Sequence, residues 1–310
     1  MNDLLTGFLL TILTGVLWSF TGVYYKSMAK WNLSLYNIMM FMGGLSFLMT
    51  LLIFTKTEDL LSGKLPLPSA GYTLFIFAAS LTNIAGSFIL QRSMIYGKSG
   101  VTWAVGQSAF ILPFIAVTLI FSEPWNILKG LGTLSVLAGM IFFSVKTSPE
   151  AKTEALQTKK GIKLAFLAFF VLGTAQSMTS ASSFFAYEDP AMLRPAIACF
   201  STFLAACAGK FFTGERGLHL NRKALLLIFF LSLQTVIATA IQFLALDKLK
   251  KYGMNGTFFP VAIGLCIAGY SLWSIVLFKE KAGRYFICGL FLILAGLFCY
   301  LLADAKILQF

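Results

Sequence analysis

The segment Tyr96–Phe121, YGKSGVTWAVGQSAFILPFIAVTLIF, returns as Tyr252–Phe278, YGMNGTFFPVAIGLCIAGYSLWSIVLF. Tyr96, Gly97, Gly100 and Val105 pair with Tyr252, Gly253, Gly256 and Val261 at an offset of 156. After one inserted residue, Phe121, Glu123, Gly132 and Leu137-Ala138-Gly139 pair with Phe278, Glu280, Gly289 and Leu294-Ala295-Gly296 at 157. Each copy is an apolar span, a short turn carrying one Glu, and a second apolar span. A repeat at half the chain length implies a duplicated unit whose halves must build one fold together.

That unit needs lipid around it. Of 310 residues, 58% are hydrophobic and 12% charged, against about 25% charged in a soluble domain. The formal charge of +12 resides almost wholly in loops between apolar spans, as in a membrane protein, so nucleic-acid binding is excluded for want of a soluble basic face. Cys199, Cys207, Cys266, Cys288 and Cys299 all fall inside apolar spans without CxxC spacing, which argues against disulfides and zinc alike. The single histidine, His219, lies in a polar loop and reads as a solvated residue. Met1 to Leu4 lacks a basic n-region, so no cleavable signal peptide is expected.

A spanning helix needs about 20 apolar residues. Ten segments qualify: Leu4–Tyr24, Leu33–Phe54, Ala70–Leu90, Val101–Phe121, Ile127–Val145, Leu164–Ser183, Met192–Phe212, Ala224–Leu244, Thr257–Phe278 and Tyr285–Ala303. The expected fold is an all-α membrane protein: residues 1–145 form a first five-helix repeat, 146–160 a polar linker, and 161–310 a second repeat. An odd number of passes per copy turns the second copy upside down. Basic residues number eight on the side of both termini and sixteen on the other, which predicts a cytoplasmic linker.

Ten spans in a five-plus-five repeat, the Tyr-Gly turn before span four, the following Glu and the Leu-Ala-Gly triplet together resemble the drug/metabolite transporter superfamily over essentially the whole chain. The basic linker and sparse intramembrane charge are similar to its EamA-like, bacterial sugar-uptake branch (rhamnose and glucose permease-like). Members of the competing amino-acid and drug exporter branch place both termini inside, opposite to the count above. The resemblance implies a central cavity lined by spans 1, 3, 4, 6, 8 and 9, in the bacterial inner membrane.

Polar groups within spans are costly unless they face a cavity or a partner. Candidate substrate-binding residues are the amides Asn83, Gln107, Gln176 and Gln242, the hydroxyl of Thr239, and the aromatic faces of Trp18, Trp103, Tyr270 and Trp273. Asn83 and Thr239 are repeat equivalents. For a lone Ser or Thr the bland alternative is a bond to its own helix or to a neighbouring one, and for a Trp it is packing. Span six adds Thr179, Ser180 and Ser183 at helical spacing; Gln234 ranks below Gln242. Glu123, Glu280 and Asp247 are candidates for proton coupling, although each Glu is equally suited to capping the next helix or pairing with Lys. Pro113 is expected to kink span four, whereas Pro260 lies near a helix start.

No acidic or basic residue falls in mid-span, so hydroxyls, amides and rings suit a neutral, sugar-like solute. Arg92 and Arg194, near span ends, keep a charged solute as second choice. The expectation is a secondary transporter of a small polar metabolite working by alternating access, with export of amino acids or drug-like metabolites as the alternative. Its partners are the solute, a coupling proton and the bilayer; no cofactor or metal is expected. A lipid-modifying enzyme would need an Asp-rich or His/Asp site, which the chain lacks, so the chain is not expected to be an enzyme.

Overall fold

A computed structural model describes residues 3–31, 33–54, 69–96, 99–145, 155–185, 193–214, 220–279 and 284–303. Helices α1 (Asp3–Lys30), α2 (Leu35–Phe54), α3 (Ala70–Tyr96), α4 (Ser99–Gln107), α5 (Ile111–Ile120) and α6 (Ile127–Val145) come from the first half. The second half supplies α7 (Ala155–Phe185), α8 (Leu193–Thr213), α9 (Arg222–Lys250), α10 (Phe258–Phe278) and α11 (Arg284–Ala303). Among the described residues eight helices are long and apolar enough to cross a membrane, and the apolar helical stretches Val105–Ile120 and Ile127–Phe142 are shorter. The chain is a multi-pass, all-helical membrane protein. Because α7 starts at Ala155, the last residues of the polar linker are already helical. Glu280 and His219 lie outside the described residues.

Helix starts follow from local chemistry. Ser34, Ser69, Asn126 and Asn221 each accept the backbone N–H three residues on, satisfying a donor the first turn leaves open. Asn126 also donates its amide to the Ala303 carbonyl, tying the start of α6 to the end of α11.

The helices pack in matched sets. α3 lies along α7, and α1 along α9. α4 and α5 lie along α7, as α10 does along α1. α3 meets α8 and α2 meets α9, while α2–α8 and α6–α11 pack as pairs. Directions can be read from contacts. Tyr72 meets Ser182 and Gly86 meets Leu172, so α3 and α7 are antiparallel. Gly7 meets Leu249 and Leu17 meets Gln234, so α1 and α9 are antiparallel too. Gly15 against Ala262 and Gly22 against Tyr270 make α1 and α10 parallel.

Close approach in lipid depends on small residues. At the α6–α11 crossing a Cβ on Gly132 would stand 3.0 Å from the Gly296 carbonyl oxygen, and one on Gly139 would stand 2.7 Å from that of Gly289. Val136 and Ile293 are buried between these two contacts. Outward faces carry exposed Leu52, Leu74, Leu119, Phe211 and Phe291, which suits contact with acyl chains.

Span four is not one helix. It breaks into α4, a 3-10 turn at Ser108–Phe110, and α5. Pro113 has no N–H for the Ala109 carbonyl, and its ring crowds that carbonyl, so the break falls one turn before the proline. Pro260 sits in the first turn of α10, where no such bond is lost. Ser122 after α5 and Lys279 after α10 both take left-handed φ, 54° and 56°, at positions 157 apart.

Candidate functional site

α7 carries the polar face that the packing leaves unexplained. Gln176, Ser180 and Ser183, four and three residues apart, share one side of the helix, and all three are buried. The Oε1 of Gln176 and the hydroxyls of Ser180 and Ser183 have no hydrogen-bond partner among the described residues. Each such group costs about 1–3 kcal/mol in a dry interior. Their neighbours behave otherwise: Ser177 donates to the Gly173 carbonyl at 2.7 Å and Thr179 to that of Ala175 at 2.9 Å. The face is held against the broken span by Gly173, where an added Cβ would lie 2.8 Å from Leu112 Cγ.

At its C-terminal end this face meets charge. The Tyr72 hydroxyl donates to the Ser182 carbonyl at 3.2 Å and sits beside the Arg194 guanidinium. Arg194, at the start of α8, forks onto both carboxylate oxygens of Asp247, at the end of α9, with the Nη1–Oδ1 contact at 3.0 Å. The guanidinium carbon lies 4.8 Å from the centre of the Phe243 ring. Lys250 donates to the Ser183 carbonyl at 2.9 Å and overlies Phe184, which stacks on Phe121 at 4.3 Å. Nearby, Lys248 binds Asp3 and joins α9 to α1.

Glu123 takes a different position from the one its spacing suggests. It caps the start of α10 rather than its own following helix: the Gly256 N–H donates to Oε1 and Oε2 at 3.2 and 3.1 Å. Lys129, buried beside it, approaches Oε1 at 3.5 Å and donates to the carbonyls of Pro124 and Gly253, each at 2.6 Å. Gly253 has φ +64°, and the Pro124 ring would lie 2.8 Å from its Cβ, so only glycine fits. Burial pushes the Glu123 carboxyl above its ordinary range, against the pull of Lys129 and the Gly256 N–H. Nothing in the sequence marks Lys129 as a site residue, because the Gly253 carbonyl it binds lies 124 residues away.

The other candidates scatter along the bundle. Trp18 packs edge-on to Phe258 and parallel to Phe259, with centroids 6.1 and 6.3 Å away. Trp273 donates its indole N–H to Ser19 at 3.0 Å and leans on Phe20. Tyr270 fills the space that Gly22 leaves. Trp103 packs against the Leu90–Leu172 cluster, and Gln107 is half-buried at the break in span four. Thr239 and Gln242 are half-buried on α9, whereas Asn83 is exposed on α3. Gln234, ranked low on sequence, is buried and donates to the Leu17 carbonyl at 2.6 Å and to Thr21 at 2.9 Å, leaving its own Oε1 without a partner among the described residues. Thr11 and Thr14 bond their own helix. Among the described residues no group of His, Cys, Asp and Glu is placed to hold a metal ion.

No family model matches the sequence, and no curated protein does. Among solved structures, a crystal structure of a protein superposes on 96% of this chain and 99% of its own, with TM-score 0.77 and 15% identity. At that identity the likeness is one of fold alone.

Proposed function

We propose that this chain is a ten-pass secondary transporter of the drug/metabolite superfamily type, built as two inverted five-helix repeats. It moves a small, hydroxyl-rich, sugar-like solute across the bacterial inner membrane by alternating access, with the central linker in the cytoplasm. Packing supports the repeat. Exchanging α1 for α7, α2 for α8, α3 for α9, α4–α5 for α10 and α6 for α11 turns α3–α7 into α1–α9, α4–α5 against α7 into α10 against α1, and α3–α8 into α2–α9, and returns α2–α8 and α6–α11 to themselves. The equivalent helices α6 and α11 cross antiparallel, Gly132 to Gly296 and Gly139 to Gly289, as two copies of opposite orientation would. The left-handed turns at Ser122 and Lys279 fall at equivalent positions.

The observation that carries the transport reading is the buried face of Gln176, Ser180 and Ser183. Three buried oxygens without partners among the described residues, beside a discontinuous helix, suit a solute that brings its own hydrogen bonds and later leaves. In this scheme the two halves rock about that face. Uptake by purified protein in proteoliposomes, measured with a panel of neutral polyols, sugars, sugar acids, amino acids and cations, tests it. Saturable uptake of a polyhydroxylated solute that falls at least tenfold in Gln176→Ala supports the reading; transport of cations or zwitterions alone overturns the sugar-like assignment.

A further inference from the structure

We infer that Arg194 is a solute-binding residue, and that the solute it takes carries a carboxylate which replaces the carboxylate of Asp247. The inference rests on the transporter reading above and narrows its substrate to sugar-acid-like molecules.

The two members of the pair are unequally held. The Arg194 side chain is 2% exposed and that of Asp247 30%. The guanidinium is fixed against the Phe243 face, with the Tyr72 hydroxyl beside it. Asp247 instead sits in the last turn of α9, next to Lys248 and three residues before the helix ends at Lys250. Arginine is therefore the stationary partner and aspartate the one with room to leave.

A buried guanidinium must keep an anion. Its planar fork matches a carboxylate through two parallel N–H bonds, and that is the geometry Asp247 now occupies. An incoming carboxylate meets the same fork with no change in the local structure.

The second observation lies on α7. Tyr72 touches Arg194 on one side and the Ser182 carbonyl on the other, and Lys250 is bonded to the Ser183 carbonyl. Through Tyr72 the arginine is thus linked to the C-terminal end of α7, the helix on which Gln176 Oε1 and the Ser180 and Ser183 hydroxyls stand buried without partners among the described residues. A solute with a carboxylate at one end and hydroxyls along its chain satisfies both: the acid takes the fork and the hydroxyls pair with α7. The displaced Asp247 turns outward, where Lys248 and Lys250 flank it in sequence. A neutral polyol finds only the α7 half of this arrangement, because Asp247 still occupies the fork.

The test is uptake into proteoliposomes of labelled D-gluconate against D-sorbitol, which share a six-carbon hydroxylated chain and differ in the acid at one end. Gluconate is expected to enter at least tenfold faster. Asp247→Asn removes the competing charge and is expected to lower the KM for gluconate about tenfold, with little effect on that for sorbitol. The double variant Arg194→Gln with Asp247→Asn leaves no unpaired buried charge, so it tests recognition in a folded protein; its preference for gluconate is expected to vanish. Equal uptake of the two solutes by wild type, or an unchanged preference in the double variant, overturns the inference. Sorbitol 6-phosphate entering as fast as gluconate overturns the choice of carboxylate. Uptake of sorbitol with exclusion of gluconate sinks this inference and leaves the transporter reading standing, whereas uptake of no solute in the panel sinks both.

Discussion

Gly132 and Gly296 meet backbone to backbone: a Cβ on the first would stand 3.0 Å from the carbonyl oxygen of the second, and a Cβ on the second 2.8 Å from the carbonyl oxygen of the first. Gly139 and Gly289 repeat the contact seven residues along α6, at 2.7 Å from a Gly139 Cβ. Neither neighbour is a side chain that can swing away. Gly139→Val should therefore push α6 off α11, at a cost of about 1–3 kcal/mol or more, the range for overpacking. Gly71, with nothing within 4 Å of an added Cβ, is the control. Thermal melting of purified protein should show a large loss for Gly139→Val and no loss for Gly71→Ala.

Lys129 joins the halves by holding Gly253 of one turn and Glu123 of the other. Lys129→Met leaves Glu123 buried without its cation, and breaking one side of such a pair costs about 3–5 kcal/mol. Replacing both partners, Lys129→Met with Glu123→Gln, should recover much of that loss. A double-mutant cycle on melting temperature checks the expectation; equal losses in single and double variants would show that the carbonyl bonds, not the charge pair, hold the turn.

The same carboxyl sets a pH dependence. Burial raises the folded pKa of Glu123 above its ordinary value of 4.5. Folding therefore favours its protonated form, so its contribution to stability is fullest below about 4.5 and is lost as pH rises through the raised value. Glu123→Gln should flatten that part of the stability profile. Melting curves across the acid range compare the two proteins; parallel profiles would rule Glu123 out as the titrating group.

How far these features could be read beforehand depended on sequence separation. The sequence repeat is legible because Tyr-Gly recurs at an offset of 156 and Glu and Leu-Ala-Gly at 157, as identical residues. Pro113 announced a defect in span four through its own missing N–H, although the break falls at Ser108–Phe110. The buried charges were not legible in the same way. Arg194 stands out near a span end, but the aspartate it meets lies 53 residues away, and Lys129, whose carbonyl partner lies 124 residues away, looks like an ordinary basic residue. The polar stripe of span eight ranks Gln242 above Gln234, whereas the packing of α9 on α1 buries Gln234 and leaves Gln242 half-buried. On α7 the spacing picked out Gln176, Thr179, Ser180 and Ser183 together, and only packing separates off Thr179, whose hydroxyl turns back on its own helix as that of Ser177 does.

Gln176 should set stability against function. Its unpaired, buried Oε1 weakens the empty protein, and Gln176→Leu, similar in size and apolar, relieves a cost of about 1–3 kcal/mol. The variant should melt higher than wild type and lose solute uptake. Melting temperature and proteoliposome uptake on the same preparation test both halves. A lower melting temperature would mean that Gln176 has a structural partner after all.

Pro113 should trade stability against rate in another way. Pro113→Ala restores the N–H that the Ala109 carbonyl lacks and removes the ring that crowds it, so Ser108–Phe110 can join α4 and α5 into one helix. A proline within a helix costs about 3 kcal/mol, and part of that should return as a higher melting temperature. The 3-10 step lies where α4 and α5 pack on α7, and Leu112, just after it, lies against Gly173, three residues before Gln176. In the proposed transport cycle a straightened span there would remove a joint about which one half bends against the other. Uptake at saturating solute should therefore fall severalfold while KM stays close to wild type, because the α7 face is untouched. An unchanged maximal rate in a stabilised Pro113→Ala protein would show that the break is a packing feature with no part in the transport cycle.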